Sequence, residues 1–365
     1  MADTSPRSGF GGVFEKAGCK RLDTPILQPA DVFLDRSGDA IRRRLFMLTD
    51  PAGREFCLRP ELTIPIARRV IEAGQNEARV WSDGRIFRYG GDDGGEFVQA
   101  GIEFFGGKNA IADEAEVFAL INEACGAGEK CTVRLGDLSI LQAVLAAVDL
   151  PDAWRARLRR HFWHGRVFQD LLARLKGEVN PTEDENAGLL ASIASLSSDE
   201  ATQAVHDILK LANIKPVGGR SVEEITARFL EKAQDARQDV TAPDVAAALE
   251  AFLAVDISAD KAVDELANLA KTYGLELDGA LAILKKRHDA LAVNGLVLKD
   301  ATFAAAFGRE LEYYTGFVFE IHHGSRKVAG GGRYDGLMEQ LGATAPITAV
   351  GGAIWPGRLA QGEAS

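Results

Sequence analysis

One segment, residues 97–105 (FVQAGIEFF), combines a strand pattern with polar groups that could bind a ligand. Side chains of a β-strand alternate between its two faces, so one face of this segment is entirely apolar. The other face presents an amide and a carboxylate, Gln99 and Glu103, on either side of Gly101. A ligand could lie over the gap at the glycine and form hydrogen bonds on both sides. The alternative, which the pattern alone favours, is the solvated outer face of an antiparallel sheet.

Two glycine-rich segments are further candidates for a binding site. Gly330, Gly331 and Gly332 precede Arg333 and allow the backbone to approach a ligand or another strand closely. The segment matches neither GxGxxG nor a Walker loop, and a tight hairpin-to-helix turn explains it equally well. Residues 90–95 (GGDDGG) resemble metal- or pyrophosphate-binding loops, but no hydroxyl-bearing cradle for a phosphate follows. We interpret them as a turn between two strands.

The spacing of the other reactive side chains predicts no metal centre and no catalytic nucleophile. The six histidines form no HExxH motif, and the adjacent His322 and His323 point to opposite faces of a strand. The cysteines form no CxxC pair and indicate reduced thiols: Cys19, Cys57, Cys125 and Cys131. The one basic cluster, residues 155–166, is amphipathic and indicates a solvated helix face.

Length and composition restrict the class of protein. The 365 residues suggest two or three domains, and 46% hydrophobic with 26% charged residues is typical of a globular chain. No apolar run has the ~18 residues of a membrane span, and the N-terminus lacks the apolar core of a signal peptide. The net charge of -11 disfavours nucleic-acid binding. We therefore expect a cytoplasmic protein that binds neither a membrane nor tRNA.

The elements that must position these residues form an α+β fold. Strand patterns over 45–60, 78–106 and 131–141 alternate with helix patterns over 65–74 and 113–128. Residues 151–292 have helical spacing only, and strand patterns return over 295–300, 312–323 and 326–337. We expect an antiparallel sheet flanked by helices in a discontinuous core domain, 1–150 with 293–365, and a helical insertion, 151–292.

Read in order, the motifs resemble class II aminoacyl-tRNA synthetases, specifically the histidyl-tRNA synthetase core. DTPILQPADVF is similar to motif 1, RIFRY with GEFVQAGIEFFG to motif 2, and AVGGAIWPGRL stands where motif 3 belongs. RELEYYTGFVFE and GGGRYDGL resemble the two histidine-specific signatures, and LRPELTIPIARRV resembles the start of the histidine pocket. The resemblance covers most of the chain and replaces the solvated-face interpretation of Gln99 and Glu103.

The resemblance implies a histidine-binding pocket. A member of this family holds the α-ammonium with carboxylate and hydroxyl groups and the imidazole with polar groups on the sheet. The matching positions in this chain are Glu61, Thr63, Arg88, Gln99, Glu103, Arg309, Tyr314 and Tyr334.

Departures from the synthetase pattern fall where ATP would be held. Gly90 and Gly95 replace an acidic and a cationic residue of motif 2, the loop between them is shortened, and Trp355-Pro356 alters motif 3. The chain also ends at Ser365, where a synthetase continues into an anticodon-binding domain.

In these departures the chain resembles the regulatory subunits of short-form ATP phosphoribosyltransferase. That resemblance implies a subunit without catalytic residues, metal or cofactor, which confers feedback regulation by histidine in histidine biosynthesis. The implied partners are the short catalytic subunit, a second copy in a homodimer within a hetero-oligomer, and L-histidine. The alternatives are a truncated histidyl-tRNA synthetase-like ligase that forms histidyl-adenylate, and a scaffold with a vestigial pocket.

Overall fold

The computed structural model describes residues 10–34, 41–90, 94–126, 131–162, 165–178, 192–193, 196–211, 222–223, 225–227, 230, 240–307 and 313–362. The strands are β1 Lys20–Arg21, β2 Leu27–Pro29, β3 Met47–Thr49, β4 Glu55–Leu58, β5 Ala78–Phe87, β6 Glu96–Phe105, β7 Cys131–Asp137, β8 Asp256–Ser258, β9 Ala301–Ala304, β10 Phe317–His323, β11 Arg326–Arg333 and β12 Ala349–Ile354. The helices are α1 Gly11–Lys16, α2 Asp31–Leu34, α3 Thr63–Glu72, α4 Ala110–Ala124, α5 Leu138–Ala147, α6 Asp152–His161, α7 Gly165–Leu175, α8 Ser198–Leu211, α9 Pro243–Leu253, α10 Ala262–Tyr273, α11 Asp278–Val293, α12 Asp335–Gln340 and α13 Pro356–Gly362.

Within the described ranges, nine strands form the main sheet, in the order β1-β5-β6-β12-β11-β10-β7-β9-β8. All neighbours are antiparallel except β1 with β5 and β7 with β9. A small separate sheet has the order β2-β4-β3, in which β3 and β4 form a hairpin within the strand pattern predicted over 45–60. The predicted antiparallel sheet with flanking helices is therefore present.

β6 buries both of its faces along most of its length. Ala100, Ile102 and Phe104 form the apolar face, with at most 2% of each side chain exposed. Gln99 and Glu103 on the opposite face are also buried, at 5% and 4% exposure. A solvated outer face is excluded, since both polar residues lie beneath other parts of the protein.

Several predicted strands have different bounds; the one predicted over 326–337, for example, ends at Arg333, before helix α12. The strand predicted over 131–141 ends at Asp137, whose carboxylate accepts the Ser139 backbone N–H and caps α5. The strand predicted over 295–300 begins only at Ala301, because Leu298–Asp300 forms a 3₁₀ turn. Alternation of apolar residues does not reveal where a capping side chain ends a strand.

Contacts divide the chain into two units, Met1–Val148 with Ala251–Ser365, and Asp149–Glu250. This division differs from the predicted insertion at 151–292, because residues 251–292 belong with the sheet. β8 pairs with β9, and α11 packs on α4 and α5. An amphipathic pattern shows that a helix packs, but not which element it packs on.

The second unit has its own apolar contacts. Trp154, Leu158 and Phe162 on and after α6 are buried as their spacing predicts, and the Phe162 and Phe168 rings meet edge-on at 5.8 Å. Arg157, expected on a solvated face, is instead 3% exposed, with its guanidinium 4.6 Å from the centre of the Trp154 ring. Trp163 and His164 lie outside the described residues.

Candidate functional site

A cavity of about 670 Å³ lies over a face of the main sheet that is poor in side chains. Cross-strand partners share a face, and Glu103 on β6 is opposite Gly351 on β12, which is opposite Gly332 on β11. The next row contains Gly330 on β11 opposite Ala353 on β12. The glycines lower this part of the sheet surface and leave room for a ligand above it.

Close packing beneath the cavity requires some of these glycines. A Cβ at Gly351 would collide with the Glu103 carboxylate, so this carboxylate occupies the space that a side chain would take. A Cβ at Gly101 would lie 2.5 Å from the Gly352 carbonyl oxygen. The gap at Gly101, predicted to receive a ligand, instead allows the neighbouring strand to approach.

Glu103 is the buried carboxyl group at the base of the cavity. Thr63 Oγ1 donates to its Oε1 at 2.6 Å, and the Tyr334 hydroxyl donates to its Oε2. Burial raises the pKa of Glu103 to about 8, against the effect of these two hydrogen bonds, and the nearby Glu61 carboxylate adds to the rise. A cationic ligand would favour the ionised form of this group.

Glu61 stands at the start of α3, where the first backbone N–H groups of a helix lack partners. Its carboxylate accepts from the backbone nitrogens of Thr63 and Ile64 at 2.7 and 2.8 Å. Burial raises the pKa of Glu61, while these N–H groups and the Arg88 guanidinium favour its ionised form. The helix thereby fixes one carboxylate on the cavity wall.

Arg88 and Gln99 lie on the same wall, from β5 and β6. Arg88 Nε donates to the Pro60 carbonyl at 2.7 Å, and its guanidinium lies 5.7 Å from the centre of the Phe97 ring. Gln99 Oε1 is buried and has no hydrogen-bond donor among the described residues. A buried acceptor without a donor is costly, and a ligand that donates would remove this cost.

Tyrosines from the two histidine-signature segments form a second wall. Tyr313 meets Tyr314 edge-on at 5.1 Å and Tyr334 at 5.9 Å, and Tyr334 meets Phe105 at 6.4 Å. Burial raises the pKa of Tyr334 and Tyr313 well above the usual range, so both hydroxyls stay protonated donors. Sequence reasoning missed Tyr313, although its neighbour Tyr314 was predicted.

Sequence reasoning also missed the far end of the cavity, towards β10 and β7. Lys327 Nζ donates to Glu320, whose other oxygen shares a 2.9 Å hydrogen bond with His322 Nε2. Arg134 on β7 also lines the cavity, as does Trp355, which follows β12. In the sequence, this cluster could have been found only from the opposite charges of Glu320 and Lys327 on two adjacent predicted strands.

The structure thus brings together most of the predicted histidine-binding residues. Glu61, Thr63, Arg88, Gln99, Tyr314 and Tyr334 line the cavity, and Glu103 lies directly beneath it, bonded to two of them. Arg309 lies outside the described residues. That these residues bind histidine stays a prediction.

The described ends of the turn between β5 and β6 contain glycines with a left-handed backbone conformation. Gly90, Gly94 and Gly95 have φ values of 70°, 73° and 88°, a region that favours glycine. The Arg88 backbone N–H donates to the Gly95 carbonyl at 2.9 Å. Residues 91–93 lie outside the described residues.

The described parts of the chain contain no group of three His, Cys, Asp or Glu side chains placed to hold a metal ion. Their helices also include none with the length and apolarity needed to cross a membrane.

Comparison with known proteins identifies the family. The family model described as histidyl-tRNA synthetase matches residues 4–215 and 205–359. An ATP phosphoribosyltransferase regulatory subunit from Sinorhizobium medicae is 37% identical, over 97% of this chain and 97% of that protein. Another, from Agrobacterium fabrum, is 39% identical over 93% and 92% of the two chains. The chain belongs to the family of ATP phosphoribosyltransferase regulatory subunits.

Solved structures agree with this family and confirm the predicted class II synthetase-like fold. An ATP phosphoribosyltransferase regulatory subunit/histidyl-tRNA synthetase from Bacillus halodurans superposes with a TM-score of 0.63 at 21% identity, covering 99% of this chain and 81% of that one. A histidine–tRNA ligase subunit from Alicyclobacillus acidocaldarius gives 0.58 at 24% identity, covering 100% and 97%. At these identities the likeness concerns the fold alone.

Proposed function

We propose that this chain is a non-catalytic regulatory subunit of ATP phosphoribosyltransferase that binds L-histidine in the cavity over the main sheet. Bound histidine would then inhibit the catalytic subunit, at the first step of histidine biosynthesis. Membership of the regulatory-subunit family supports the partner, and the chemistry of the cavity supports the ligand.

The histidine proposal rests on hydrogen-bond acceptors around the cavity that have no cationic donor, or no donor at all, among the described residues. Glu103 is 4% exposed and accepts only hydroxyl donors among the described residues. Gln99 Oε1 has no donor there, and Glu61 lies on the adjacent wall. Histidine supplies N–H donors from its ammonium and imidazole groups. These groups would offset the desolvation of the buried acceptors.

The β5–β6 turn supports a subunit without adenylation activity. Transfer of an adenylate group develops negative charge on phosphate oxygens, which cationic side chains stabilise. Gly90 and Gly95 supply none, and Arg88 donates to the Pro60 carbonyl and is attracted electrostatically by the Glu61 carboxylate. The motif that would hold ATP therefore lacks side-chain donors at both glycine positions.

We propose two protein partners and expect no specific binding of tRNA. The catalytic subunit follows from the family, and a second copy follows from exposed apolar residues on the small sheet and before it: Ile26, Leu27, Met47 and Leu48, each 38–49% exposed. A net charge of -11 gives little counterion release for binding tRNA.

Calorimetric titration of the chain with L-histidine tests the ligand directly. Glu103→Ala is expected to weaken binding by about 1–3 kcal/mol, roughly ten- to hundredfold, because it leaves ligand donors unpaired. Glu116→Ala is the matched control, since Glu116 is a carboxylate paired with Arg79 outside the cavity. Unchanged affinity of Glu103→Ala would place the histidine site elsewhere.

Assays of the assembled enzyme test the regulatory role. Inhibition of Glu103→Ala complexes should require more histidine, because an effector acts through its differential affinity for two states. Activation of the catalytic subunit should persist. Histidine-dependent ATP–pyrophosphate exchange by the chain alone would instead support the adenylate-forming alternative.

A further inference from the structure

Trp355 lines the cavity, and its indole N–H is an unpaired donor in the described part of the structure. It follows β12, where Ile354 is opposite Ala100, so one further step places Trp355 opposite Gln99. Trp355 lines the cavity and is 8% exposed. Its Nε1 has no hydrogen-bond acceptor among the described residues. Tryptophan N–H groups usually find an acceptor when buried, so this one calls for an external partner.

Gln99, across the strand pair from Trp355, lacks a hydrogen-bond donor rather than an acceptor in the described structure. Gln99 Oε1 is an acceptor without a donor, and Trp355 Nε1 is a donor without an acceptor. They stand at neighbouring register positions and do not satisfy each other. A ligand that satisfies both must accept a hydrogen bond at one point and donate one close by. An α-amino acid does so with its carboxylate and its ammonium group.

The charged residues around the cavity determine the orientation of the bound amino acid. Lys327 Nζ, which also pairs with Glu320, and the Arg358 guanidinium lie 5.5 and 5.0 Å from the centre of the Trp355 ring. Glu103 stands at the base of the cavity, and Glu61 stands on the wall beside α3. A carboxylate is therefore favoured at the tryptophan, and cationic or N–H groups are favoured towards the acids. Trp355 Nε1 is closed off by its surroundings, so the ring or the cations over it must shift on binding.

We propose that Trp355 is a specificity-determining residue of the ligand site, whose indole N–H donates to the carboxylate of a bound amino acid. Gln99 Oε1 then accepts from the ammonium group of the same ligand. This inference rests on the proposed function and adds a requirement to it: the effector must carry a free carboxylate.

The test is calorimetry on the full chain with two ligands, L-histidine and L-histidinol, which has an alcohol in place of the carboxylate. Trp355→Phe keeps an aromatic ring and removes the N–H. It should weaken histidine binding about ten- to hundredfold and leave histidinol binding unchanged within about twofold. Trp81→Phe is the matched control: Trp81 Nε1 is also buried without an acceptor in the described structure, but Trp81 does not line the cavity. It should change neither affinity.

Indole N–H resonances of the wild-type chain provide a second readout, in which the variant serves only to assign the Trp355 signal. The chain has four tryptophans, and Trp355→Phe identifies the resonance of Trp355. Histidine should shift this signal downfield, and histidinol should not. The inference would be overturned if Trp355→Phe weakened the binding of both ligands equally or left the histidine affinity unchanged. It would also be overturned if histidine did not shift the Trp355 resonance selectively. None of these outcomes would contradict histidine binding itself. A wild-type chain that binds no histidine would overturn the proposed function as well.

Discussion

Glu103 and Glu114 are both buried carboxyl groups of the unit that contains the main sheet, yet their surroundings differ. Glu114 on α4 is 0% exposed and receives two guanidinium groups, Arg287 Nε at 2.6 Å and Arg333 Nε. Glu103 is 4% exposed and, within the described structure, receives hydroxyl groups only, from Thr63 and Tyr334. The two guanidinium groups balance the charge of Glu114, which therefore serves the fold. Glu103 has no cationic partner in the described structure and can still pair with a cationic group of a ligand.

The Glu114 cluster also supports the cavity from below. Arg287 on α11 bonds to both Glu114 and Asp137, and thereby ties α11 to α4 and to the start of α5. Arg333 bonds to Glu114 and Asp335 and immediately precedes Tyr334. The same cluster therefore fixes the backbone of a residue that contacts Glu103. Glu114 thereby helps to keep the Tyr334 hydroxyl in place for its hydrogen bond to Glu103.

The largest effect is expected from Glu114→Gln. It removes the charge between two buried arginines, and breaking a buried pair costs about 3–5 kcal/mol in free energy of unfolding. Urea denaturation followed by circular dichroism measures the change. Glu116→Gln, on the same helix and paired with Arg79 at the surface, should cost no more than about 1 kcal/mol. Equal costs for the two variants would contradict the assignment of Glu114 to the fold.

Glu103→Gln should have little effect on the free energy of unfolding but a large effect on histidine binding. Because the pKa of Glu103 is raised to about 8, its carboxyl group is mostly protonated at pH 7 and an amide resembles it. Glu103→Gln should therefore change the free energy of unfolding by less than about 1 kcal/mol, and weaken histidine binding roughly tenfold or more. Denaturation and calorimetry on one preparation measure both quantities. A loss of stability comparable to that of Glu114→Gln would remove the distinction between the two sites.

Stability should also depend on pH through Glu103. Its folded pKa of about 8 exceeds its usual value of 4.5, so between these pH values the folded chain holds a proton that the unfolded chain releases. The contribution of Glu103 to the free energy of unfolding therefore falls as pH rises through this interval, by up to ~1.4 kcal/mol per unit. The difference between wild type and Glu103→Gln, measured by denaturation from pH 5 to 8, isolates this slope. A constant difference would show that Glu103 is ionised throughout.

The smallest expected effect comes from Thr63→Val, which removes one hydroxyl donor from Glu103. A single hydrogen bond contributes about 0.5–1.5 kcal/mol, so histidine affinity should fall roughly two- to tenfold. Thr348→Val is the control, because the Thr348 hydroxyl bonds to the Gly107 carbonyl away from the cavity. An effect as large as that of Glu103→Gln would mean that Thr63 itself contacts the ligand.

Much of the site follows from local patterns. Period-two alternation places Gln99 and Glu103 on one strand face, and the structure has both there. The signature segments predict Tyr314 and Tyr334, and the structure brings both to the cavity. Local patterns are sufficient here because neighbouring residues of one strand, or of one short motif, are positioned by backbone geometry alone.

Other features depend on partners that are distant in the sequence. Arg287 lies 173 residues from Glu114 and 150 from Asp137, and its helix was predicted to belong to the insertion. Trp355 belongs to the cavity because antiparallel pairing of β12 with β6 brings it opposite Gln99. Neither arrangement has a periodic signal, since the identity of a long-range neighbour is set by how the sheet is ordered.

The sequence by itself determined the family, the antiparallel sheet and the polar residues that surround the cavity, because motifs and alternation are local properties. Only the tertiary structure decided which buried carboxylate is compensated. That difference depends on whether guanidinium groups from distant elements reach the carboxylate, as they do at Glu114, or whether a glycine such as Gly351 leaves it space beneath a cavity, as at Glu103. Side-chain type alone is the same in both cases.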